Sequence, residues 1–506
     1  MAPRKMLLLV LLSSGMTSLL LFSFFQPPPL PLPEFMSMNA SPWLEFGPDE
    51  QCLFVSPLSE LTSAERQAAE SLLPSIDSAF ESPNGLLSFR PTAGNASVVG
   101  EPSADKTVHP VLGLLAQGER RWKNMIDKQS RTLGEAVEEY KKRMGRQPPK
   151  GFDHWWAFAT ANQVLFPDEY DPIMNSLLPF YALPPDEIAQ RVTEAESIPE
   201  TFTLIVKEGG KVVLQWNDQY SRDIWWNART RADHQINLME PFLDKLGEMR
   251  VTFSIHDQPF MVLPYERRQE LEGLAKGRVG SYTSHLIDED IHTADWINAC
   301  PPDSPARTGT EALFIGEENG KEKDSVRFVV NHESAMNPCS NPSLLQSHIH
   351  FLTPQTESTK PKPHSRLLPI LSLSRTEVNA DIPVAPVGIV SGGLTRQDVG
   401  KEMDGGWPAQ SPKLYWRGAP TANPKVPISP SIFANSHRTR LASLAQGNSS
   451  RSEEEHMLMV PSGARDGSVE VQSIKGDILA QKFLDVQLQG SWTCEDENDE
   501  QCNKLK

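Results

Sequence analysis

The chain has 506 residues, enough for about two or three domains with buried cores. Its 43 prolines indicate many loops. Its formal net charge of −17 argues against nucleic acid as the main partner, because binding to phosphates requires clustered lysine and arginine. The 5 cysteines form no CxxC pair and no zinc-like spacing with histidine, so no metal site is predicted.

The N-terminus carries a candidate membrane anchor. Arg4 and Lys5 precede an uncharged apolar run at 6–25, which as a helix would span about 30 Å, the thickness of a bilayer core. Basic residues before the run favour a cytosolic tail at 1–5 and a lumenal remainder, so we predict a single-pass type II protein of the Golgi or ER. The alternative is a cleaved signal peptide and a secreted soluble form, although this apolar run is longer than usual for one.

A proline-rich stem and linker with one helix is predicted at 26–110. The pattern from Leu61 to Phe80 indicates a helix that ends at its proline, with Thr62 or Ser63 capping its start. Residues 82–110 are rich in proline, glycine, serine and asparagine, which predicts a surface linker.

The lumenal location predicts two kinds of covalent modification. Disulfides become the default state of the cysteines, and we expect Cys494 to pair with Cys502 and Cys300 with Cys339, leaving Cys52 over, although other pairings stay open.

Three acceptor sequons for N-glycosylation are present, at Asn39, Asn95 and Asn448. The first is the poorest, because Pro42 follows it directly. Asn95 and Asn448 are therefore the glycosylation candidates.

Downstream, helical and extended patterns alternate. The predicted elements are a helix at 113–146 ending in Gly145, an aromatic block at 148–162 read as packed core, a hairpin at 202–216, a helix at 221–249, a strand at 251–257 and a helix from about Tyr265. Further strands are predicted at 367–373, 384–390, 412–416 and 483–486, with a helix at 431–447. This order predicts an α/β fold with a parallel sheet.

The first candidate for chemistry is His256-Asp257, at the end of the strand that starts at Val251. Active-site groups of open α/β sheets collect at the carboxyl ends of strands. An aspartate there can accept the proton of a hydroxyl as its oxygen attacks a donor. The alternative is that Asp257 caps the following turn.

The second candidate is the segment around Trp416, Arg417 and Gly418. Arginine donates to two oxygens of a diphosphate at once, and glycine lets the backbone approach a ligand closely. Arg438 and Arg440 follow on a predicted helix, where only one of them would face the same ligand. A structural ion pair is the alternative for Arg417. Asp288-Glu289-Asp290 matches a metal-binding DxD motif in spelling, but a solvated polar segment is the favoured interpretation.

Several motifs in a fixed order together resemble a known family: PPKGFDHWWAFA, SIHDQP, LPILSLSRTEVNADIPVAP, WPAQSPKLYWRGAPT and HRTRLASLA. Over roughly residues 110–490 the chain resembles the fungal capsule-associated glycosyltransferases of glycosyltransferase family 90, which also contains protein O-glucosyltransferases and fungal xylosyltransferases. The resemblance implies two Rossmann-like domains (a GT-B fold), a UDP-xylose or UDP-glucose donor, a glycan or protein hydroxyl as acceptor, and inverting transfer with no obligatory metal or other cofactor.

The resemblance also assigns roles to residues. Asp257 matches the catalytic base, and Trp416, Arg417 and Gly418 match the segment near the donor diphosphate. Either Arg438 or Arg440 matches the basic position that follows. His256, Ser372 and Asp381 would line the cleft between an acceptor-side domain at 111–380 and a donor-binding domain at 381–506.

Two departures from the family pattern stand out. The family usually has serine or threonine after Trp-Arg-Gly, where this chain has Ala419. Relatives also continue well beyond the segment that holds Cys502, so the donor-binding domain is expected to be incomplete. This supports a second hypothesis, a catalytically inactive glycan-binding or scaffold relative.

Overall fold

The computed structural model describes residues 57–92, 95–98, 108–217, 222–259, 261–277, 296–309, 326–349, 366–385, 411–420, 427–446, 455–490 and 492–503. Several predictions fall outside these ranges: the anchor at 6–25, the stem before residue 57, Cys52, Asn39, Asn448 and the acidic triplet at 288–290. Within these ranges, no helix has both the length and the apolar character needed to cross a bilayer.

The fold is mixed α/β, with helices distributed among several separate sheets. The helices are α1 Ser63–Ser71, α2 Leu73–Glu81, α3 Pro110–Asp127, α4 Leu133–Met144, α5 Phe152–Ala161, α6 Asp171–Leu177, α7 Pro185–Ala195, α8 Arg222–Met239, α9 Tyr265–Gly277, α10 Pro305–Thr308, α11 His332–Ala335, α12 Leu344–Ser347, α13 Pro430–Asn435, α14 His437–Ala445, α15 Gly476–Phe483 and α16 Glu500–Asn503. The strands are β1 Leu86–Thr92, β2 Asn95–Val98, β3 Thr201–Val206, β4 Val212–Trp216, β5 Met249–Ser254, β6 Val326–Val329, β7 Ile370–Ser372, β8 Ile382–Pro383, β9 Leu414–Gly418, β10 Glu455–Pro461, β11 Val469–Lys475 and β12 Leu484–Leu488.

The Cα positions divide the chain into two compact units. One consists of Met1–Phe54, Ala157–Val164 and Leu394–Asp404, and the structure describes only its residues 157–164, the end of α5 and the turn that follows. The other unit contains the rest of the chain, including every described strand and every described candidate residue.

A five-stranded sheet in the order β4-β3-β5-β7-β8 carries the first candidate site. The β3–β4 hairpin is confirmed, and Gly209 and Gly210 turn its corner with φ angles of 75° and 76°, which glycine adopts without steric cost. β5, β7 and β8 run parallel, as the predicted parallel sheet requires, whereas β3 is antiparallel to both β4 and β5. The sheet is therefore mixed, because a tight hairpin can only join antiparallel strands.

Apolar side chains cover both faces of this sheet, as alternation along the strands dictates. On one face Phe202 stacks on Phe253, with ring centroids 5.1 Å apart, and both pack against Ala228 and Ala232 of α8. On the other face Ile370 packs with residues of α9 and of the segment before it. The carboxyl end of β5 thus projects from a well-packed support.

Helix boundaries differ from the predictions where tertiary contacts or prolines intervene. The single helix predicted from Leu61 is two helices, α1 and α2, and Pro74 lies in the first turn of α2, where a missing N–H costs nothing. Thr62 caps α1 through a reciprocal bond with Glu65, so the predicted cap is confirmed. The helix predicted at 221–249 ends at Met239, because Pro241 starts a short 3-10 turn.

The helix predicted at 113–146 is likewise two helices, α3 and α4. The break is held by the Asp168 carboxylate, which accepts a hydrogen bond from the Ser130 backbone N–H at 2.6 Å. α4 ends at Gly145 as predicted, with φ 64°. The helix predicted at 431–447 also divides, because Ser436 ends α13 and caps α14 by accepting from the Arg438 N–H.

The prediction of a surface linker at 82–110 was wrong for the central part of that range. Residues 86–92 and 95–98 form β1 and β2, and β1 also pairs antiparallel with β6. This partner lies more than 200 residues further along the chain, so no local pattern reveals the pairing. Asn95, a glycosylation candidate, is the first residue of β2 at the edge of this sheet.

Most of the remaining predicted elements are present with shifted ends. The aromatic block at 148–162 contains α5, and its interpretation as packed core is confirmed only in part, because Phe152 is buried in a cluster with Tyr140 whereas Trp155 and Phe158 are exposed. The strands expected at 367–373, 412–416 and 483–486 appear as β7, β9 and β12, and α9 begins at Tyr265. The strand expected at 384–390 is not confirmed: β8 covers Ile382–Pro383, residues 384 and 385 belong to no strand, and residues from 386 onward lie outside the described ranges.

Both expected disulfides are present. Cys300 is bonded to Cys339, and Cys494 to Cys502. The first lies in an apolar cluster with Val262 and Val378, and the second in a cluster with Ile428 and Ile432.

The two glycines of α3 provide a stability test. A Cβ on Gly113 would lie 2.8 Å from Leu72 Cβ and would overlap Ile76 Cδ1, whereas a Cβ on Gly118 has nothing within 4 Å. We expect Gly113→Ala to lower the free energy of unfolding by about 1–3 kcal/mol through overpacking. Gly118→Ala, the matched control, should raise it by about 0.5–1 kcal/mol through helix propensity. Urea denaturation measures both, and an equal change for the two variants would contradict the packing of α3 on α2.

Candidate functional site

The turn Ile255–Asp257 follows β5 and is held from three neighbouring elements. From α8, the Arg231 guanidinium donates to Asp257 Oδ1 at 2.6 Å and also to the Ile255 carbonyl. From the loop between β7 and β8, the Ser374 hydroxyl donates to the Asp257 carbonyl. The backbone carbonyl of Glu200, the residue before β3, accepts a hydrogen bond from the Ile255 N–H at 3.2 Å. The backbone that carries Asp257 is therefore fixed, although the turn contains no regular secondary structure.

The side chains of this turn differ in exposure. The Asp257 side chain is 76% exposed, whereas its partner Arg231 is 16% exposed. Ion pairs at such exposure contribute little to stability, so Arg231 acts mainly by orienting the carboxylate. The arrangement presents an accessible, oriented anion at the carboxyl end of a strand, which a proton-accepting role requires.

His256 points to a second carboxylate. Its Nε2 lies 2.5 Å from Glu200 Oε2, and the two side chains are 14% and 19% exposed. The backbone N–H of His256 also donates to the Ser254 hydroxyl. His256 and Asp257 thus have different partners, Glu200 and Arg231.

Ser372 and Asp381, which were expected to line a cleft, belong to the interior. They are 1% and 0% exposed, and the Ser372 hydroxyl donates to Asp381 Oδ1 at 2.6 Å. Asp381 Oδ2 accepts from the Met261 N–H at 2.8 Å. A buried carboxylate must be hydrogen-bonded, so Asp381 ties β7 and β8 to the segment that follows the Asp257 turn.

The loop between β7 and β8 has a second support in Arg268 of α9. Its guanidinium donates to the Glu377 and Asn379 carbonyls, each at 2.6 Å. Burial, followed by the neighbouring Arg375 charge, lowers the pKa of Arg268 from its ordinary value. This loop also carries Ser374, so the contact of Ser374 with Asp257 rests on a fixed backbone.

We expect Asp381→Ala to be strongly destabilising. It leaves the Met261 N–H and the Ser372 hydroxyl without these bonds inside the protein, and each unpaired buried donor costs about 1–3 kcal/mol. The free energy of unfolding should fall by about 3 kcal/mol or more, against about 1 kcal/mol for Ser372→Ala, as measured by urea denaturation. Equal losses for the two variants would show that the Met261 contact adds nothing.

The second group of candidates lies on β9, which belongs to a different sheet, and on the helix α14. β9 pairs in parallel with β12, and Arg417 donates to the Asp485 carboxylate of β12 at 2.6 Å. Arg417 also donates to the Trp416 and Asp485 carbonyls. The ion-pair alternative considered for Arg417 is therefore the state observed, and a diphosphate would have to replace Asp485.

Gly418 lies against the ring of Trp416, which leaves no room for a side chain at position 418. A Cβ on Gly418 would lie 2.6 Å from the Trp416 ring, so the glycine is required by the tryptophan that folds over it. The Arg438 guanidinium donates to the Ala419 carbonyl at 2.9 Å, and burial lowers the pKa of Arg438. Arg440 lies one half-turn further along α14 and is half-buried. The structure thus brings Trp416, Arg417, Gly418 and Arg438 to one end of β9.

Glu200, Arg231, Ser374 and Asp485 were missing from the predicted site residues. Each contacts a predicted residue from a remote part of the chain: Arg231 lies 26 positions before Asp257, and Ser374 lies 117 after it. Glu200 comes just before a predicted strand, but its pairing with the Asp257 turn depends on the β3–β5 register. No spacing motif would have identified them.

Among the described residues, no group of three or more histidine, cysteine or acidic side chains is arranged to hold a metal ion. In the comparisons with known proteins, no family model, no curated protein and no solved structure matches the chain. The geometry itself defines the class: a mixed α/β protein with an oriented, exposed aspartate at the carboxyl end of a sheet strand and an arginine-containing strand end in a second, parallel pair.

Proposed function

We propose that the protein is a membrane-anchored, inverting glycosyltransferase that moves xylose or glucose from a UDP donor to a glycan or protein hydroxyl. The observation that carries the proposal is Asp257: it is exposed, it follows β5, and Arg231, Ser374 and Glu200 hold its turn. The resemblance to capsule-associated glycosyltransferases implies a catalytic base at this position, which supports the proposal.

The proposed reaction needs one base and a site for a departing anion. Asp257 accepts the proton of the acceptor hydroxyl while the oxygen forms a bond to C1 of the donor sugar. The bond from C1 to the diphosphate oxygen breaks, and UDP leaves with the bonding electrons. Arg417, with Arg438 or Arg440, would offset the charge that grows on the diphosphate.

The proposed architecture is a pair of Rossmann-like domains that meet near residue 380, behind an N-terminal anchor that leaves the catalytic part in the lumen. One observation supports a lumenal location. Both expected disulfides are present, and disulfides persist in oxidising compartments.

Donor turnover tests the proposal directly. The full-length chain, purified in detergent, is incubated with UDP-xylose, UDP-glucose or UDP-galactose, with and without a panel of oligosaccharide and peptide acceptors, and released UDP is measured. We expect acceptor-dependent UDP release with one of the donors. Absence of release with all three would count against the enzyme.

The Arg417–Asp485 pair favours one alternative, a glycan-binding protein without transferase activity. An arginine already neutralised by a neighbouring carboxylate is a weaker diphosphate ligand. The same preparation on an immobilised glycan array distinguishes the two: binding to a glycan together with no UDP release supports the binding protein.

A further inference from the structure

Glu200 has an unusual backbone. Its φ is 59°, in the left-handed region that residues other than glycine, asparagine and aspartate seldom adopt. Such conformations persist where surrounding contacts impose them, and they cluster at functional sites. Here the imposed contacts are known: the Glu200 carbonyl accepts from the Ile255 N–H, and its carboxylate reaches His256 Nε2 at 2.5 Å.

The carboxylate determines which nitrogen of His256 carries the proton. A carboxylate oxygen accepts, so the Glu200 contact favours the tautomer of His256 that carries its hydrogen on Nε2, and in that tautomer Nδ1 is an acceptor. In the described part of the chain His256 Nδ1 has no hydrogen-bond partner. It is also not fully buried, since it is absent from the buried polar atoms that lack a partner. Nδ1 is therefore open to an external donor.

Asp257 offers a second acceptor on the neighbouring residue. Arg231 occupies its Oδ1, and Oδ2 has no partner among the described residues. The turn thus presents two acceptors of different chemistry, a neutral imidazole nitrogen and a carboxylate oxygen. A ligand with two neighbouring hydroxyl groups carries one donor for each acceptor.

We propose that Glu200 is a positioning residue for His256, and that His256 Nδ1 binds a second hydroxyl of the acceptor, beside the hydroxyl that Asp257 deprotonates. The inference rests on the proposed glycosyltransferase function and narrows it, because a sugar with adjacent hydroxyls satisfies both acceptors and an isolated serine or threonine hydroxyl does not. The acceptor is then a glycan.

Two substitutions of His256 distinguish a role in binding the acceptor from a role in supporting the turn. An asparagine places its amide near the position of Nδ1, whereas a glutamine extends its amide towards Nε2 and Glu200. We expect His256→Gln to raise the KM for the glycan acceptor about tenfold, the effect of one lost hydrogen bond, and His256→Asn to stay within about threefold. The donor KM should be unchanged in both variants, since the acceptor alone contacts His256.

Glu200→Ala should match His256→Gln, because it frees the imidazole to take either tautomer. Glu196→Ala is the matched control: this glutamate also bridges to β5, but through Arg250 at the other end of the strand. We expect the control to leave the acceptor KM unchanged. The inference is overturned if His256→Asn raises the acceptor KM as much as His256→Gln does. It is also overturned if Glu196→Ala raises the acceptor KM as strongly as Glu200→Ala.

A spectroscopic measurement keeps this test separate from the proposed function. Nitrogen-15 NMR of the histidine side chains in the full-length protein should show His256 protonated at Nε2, and Glu200→Ala should remove that preference. A protein that shows this tautomer but turns over no UDP-sugar retains the positioning role and loses the glycosyltransferase. A protein that turns over donor but has His256 protonated at Nδ1 retains the function and loses the inference.

Discussion

Replacing Asp257 with asparagine is expected to lower kcat for sugar transfer by a factor of about 10²–10⁴ or more, while the affinity for UDP stays unchanged. An amide of the same shape can hold the turn but cannot accept a proton, and the proposed donor residues lie on β9 and α14 rather than on this turn. Acceptor-dependent UDP release measures turnover, and calorimetric titration with UDP measures binding.

Asp233→Asn provides the matched control for this variant. Asp233 lies on α8, the helix that carries Arg231, and forms an ion pair with Arg229 of the same helix at 2.9 Å, and its side chain is 46% exposed. Loss of its charge should leave turnover within about twofold of the unmodified protein, as expected for a surface pair. Retained turnover in Asp257→Asn would reject Asp257 as the base, and an equal loss in both variants would show a general effect of charge.

Removal of the Cys300–Cys339 disulfide is expected to have the largest effect on stability. The bond closes a loop with a sequence separation of 39, against 8 for Cys494–Cys502. From loop-closure entropy, replacing both cysteines by alanine should cost roughly 4 kcal/mol for the first and roughly 2.5 kcal/mol for the second. Urea denaturation of the two double variants, each compared with the unmodified protein, measures the difference.

This disulfide also lies close to the elements that support the Asp257 turn. Cys300 and Cys339 pack with Val262, next to Met261, and with Val378 in the loop between β7 and β8. We therefore expect the Cys300/Cys339 variant to lose turnover as well as stability, and the Cys494/Cys502 variant to lose only stability. A greater stability loss from the Cys494–Cys502 bond would contradict the loop-length argument.

The candidate site shows how far sequence reasoning extends. His256 and Asp257 were identified because a short apolar strand ends in polar residues, and that local pattern survives in the structure as β5 and its turn. Ser372 and Asp381 were identified from a family motif, and their burial gives them a supporting role instead. Burial depends on what packs above a residue, which its neighbours in sequence do not specify.

The same division applies to Arg417. Its charge and its place at a strand end suited a diphosphate, and the structural ion pair was the alternative. Asp485 decides between these for the structure described, because β12 pairs with β9 in a register that sets Asp485 opposite Tyr415. The two strands are separated by about seventy residues, so neither segment alone indicates the other.

By itself the sequence determined the elements whose causes are local: the Thr62 cap, the Gly209-Gly210 hairpin, the end of α4 at Gly145, and the strand that leads to Asp257. Capping, glycine conformation and apolar alternation act within a few residues, so the pattern contains them. The tertiary structure decided the rest: the pairing of β1 with β6, the break between α3 and α4, and the contacts of Arg231, Ser374 and Glu200 with the Asp257 turn. These depend on residues far apart in the chain, brought together by burial of apolar surface, which is non-directional and leaves no spacing in the sequence.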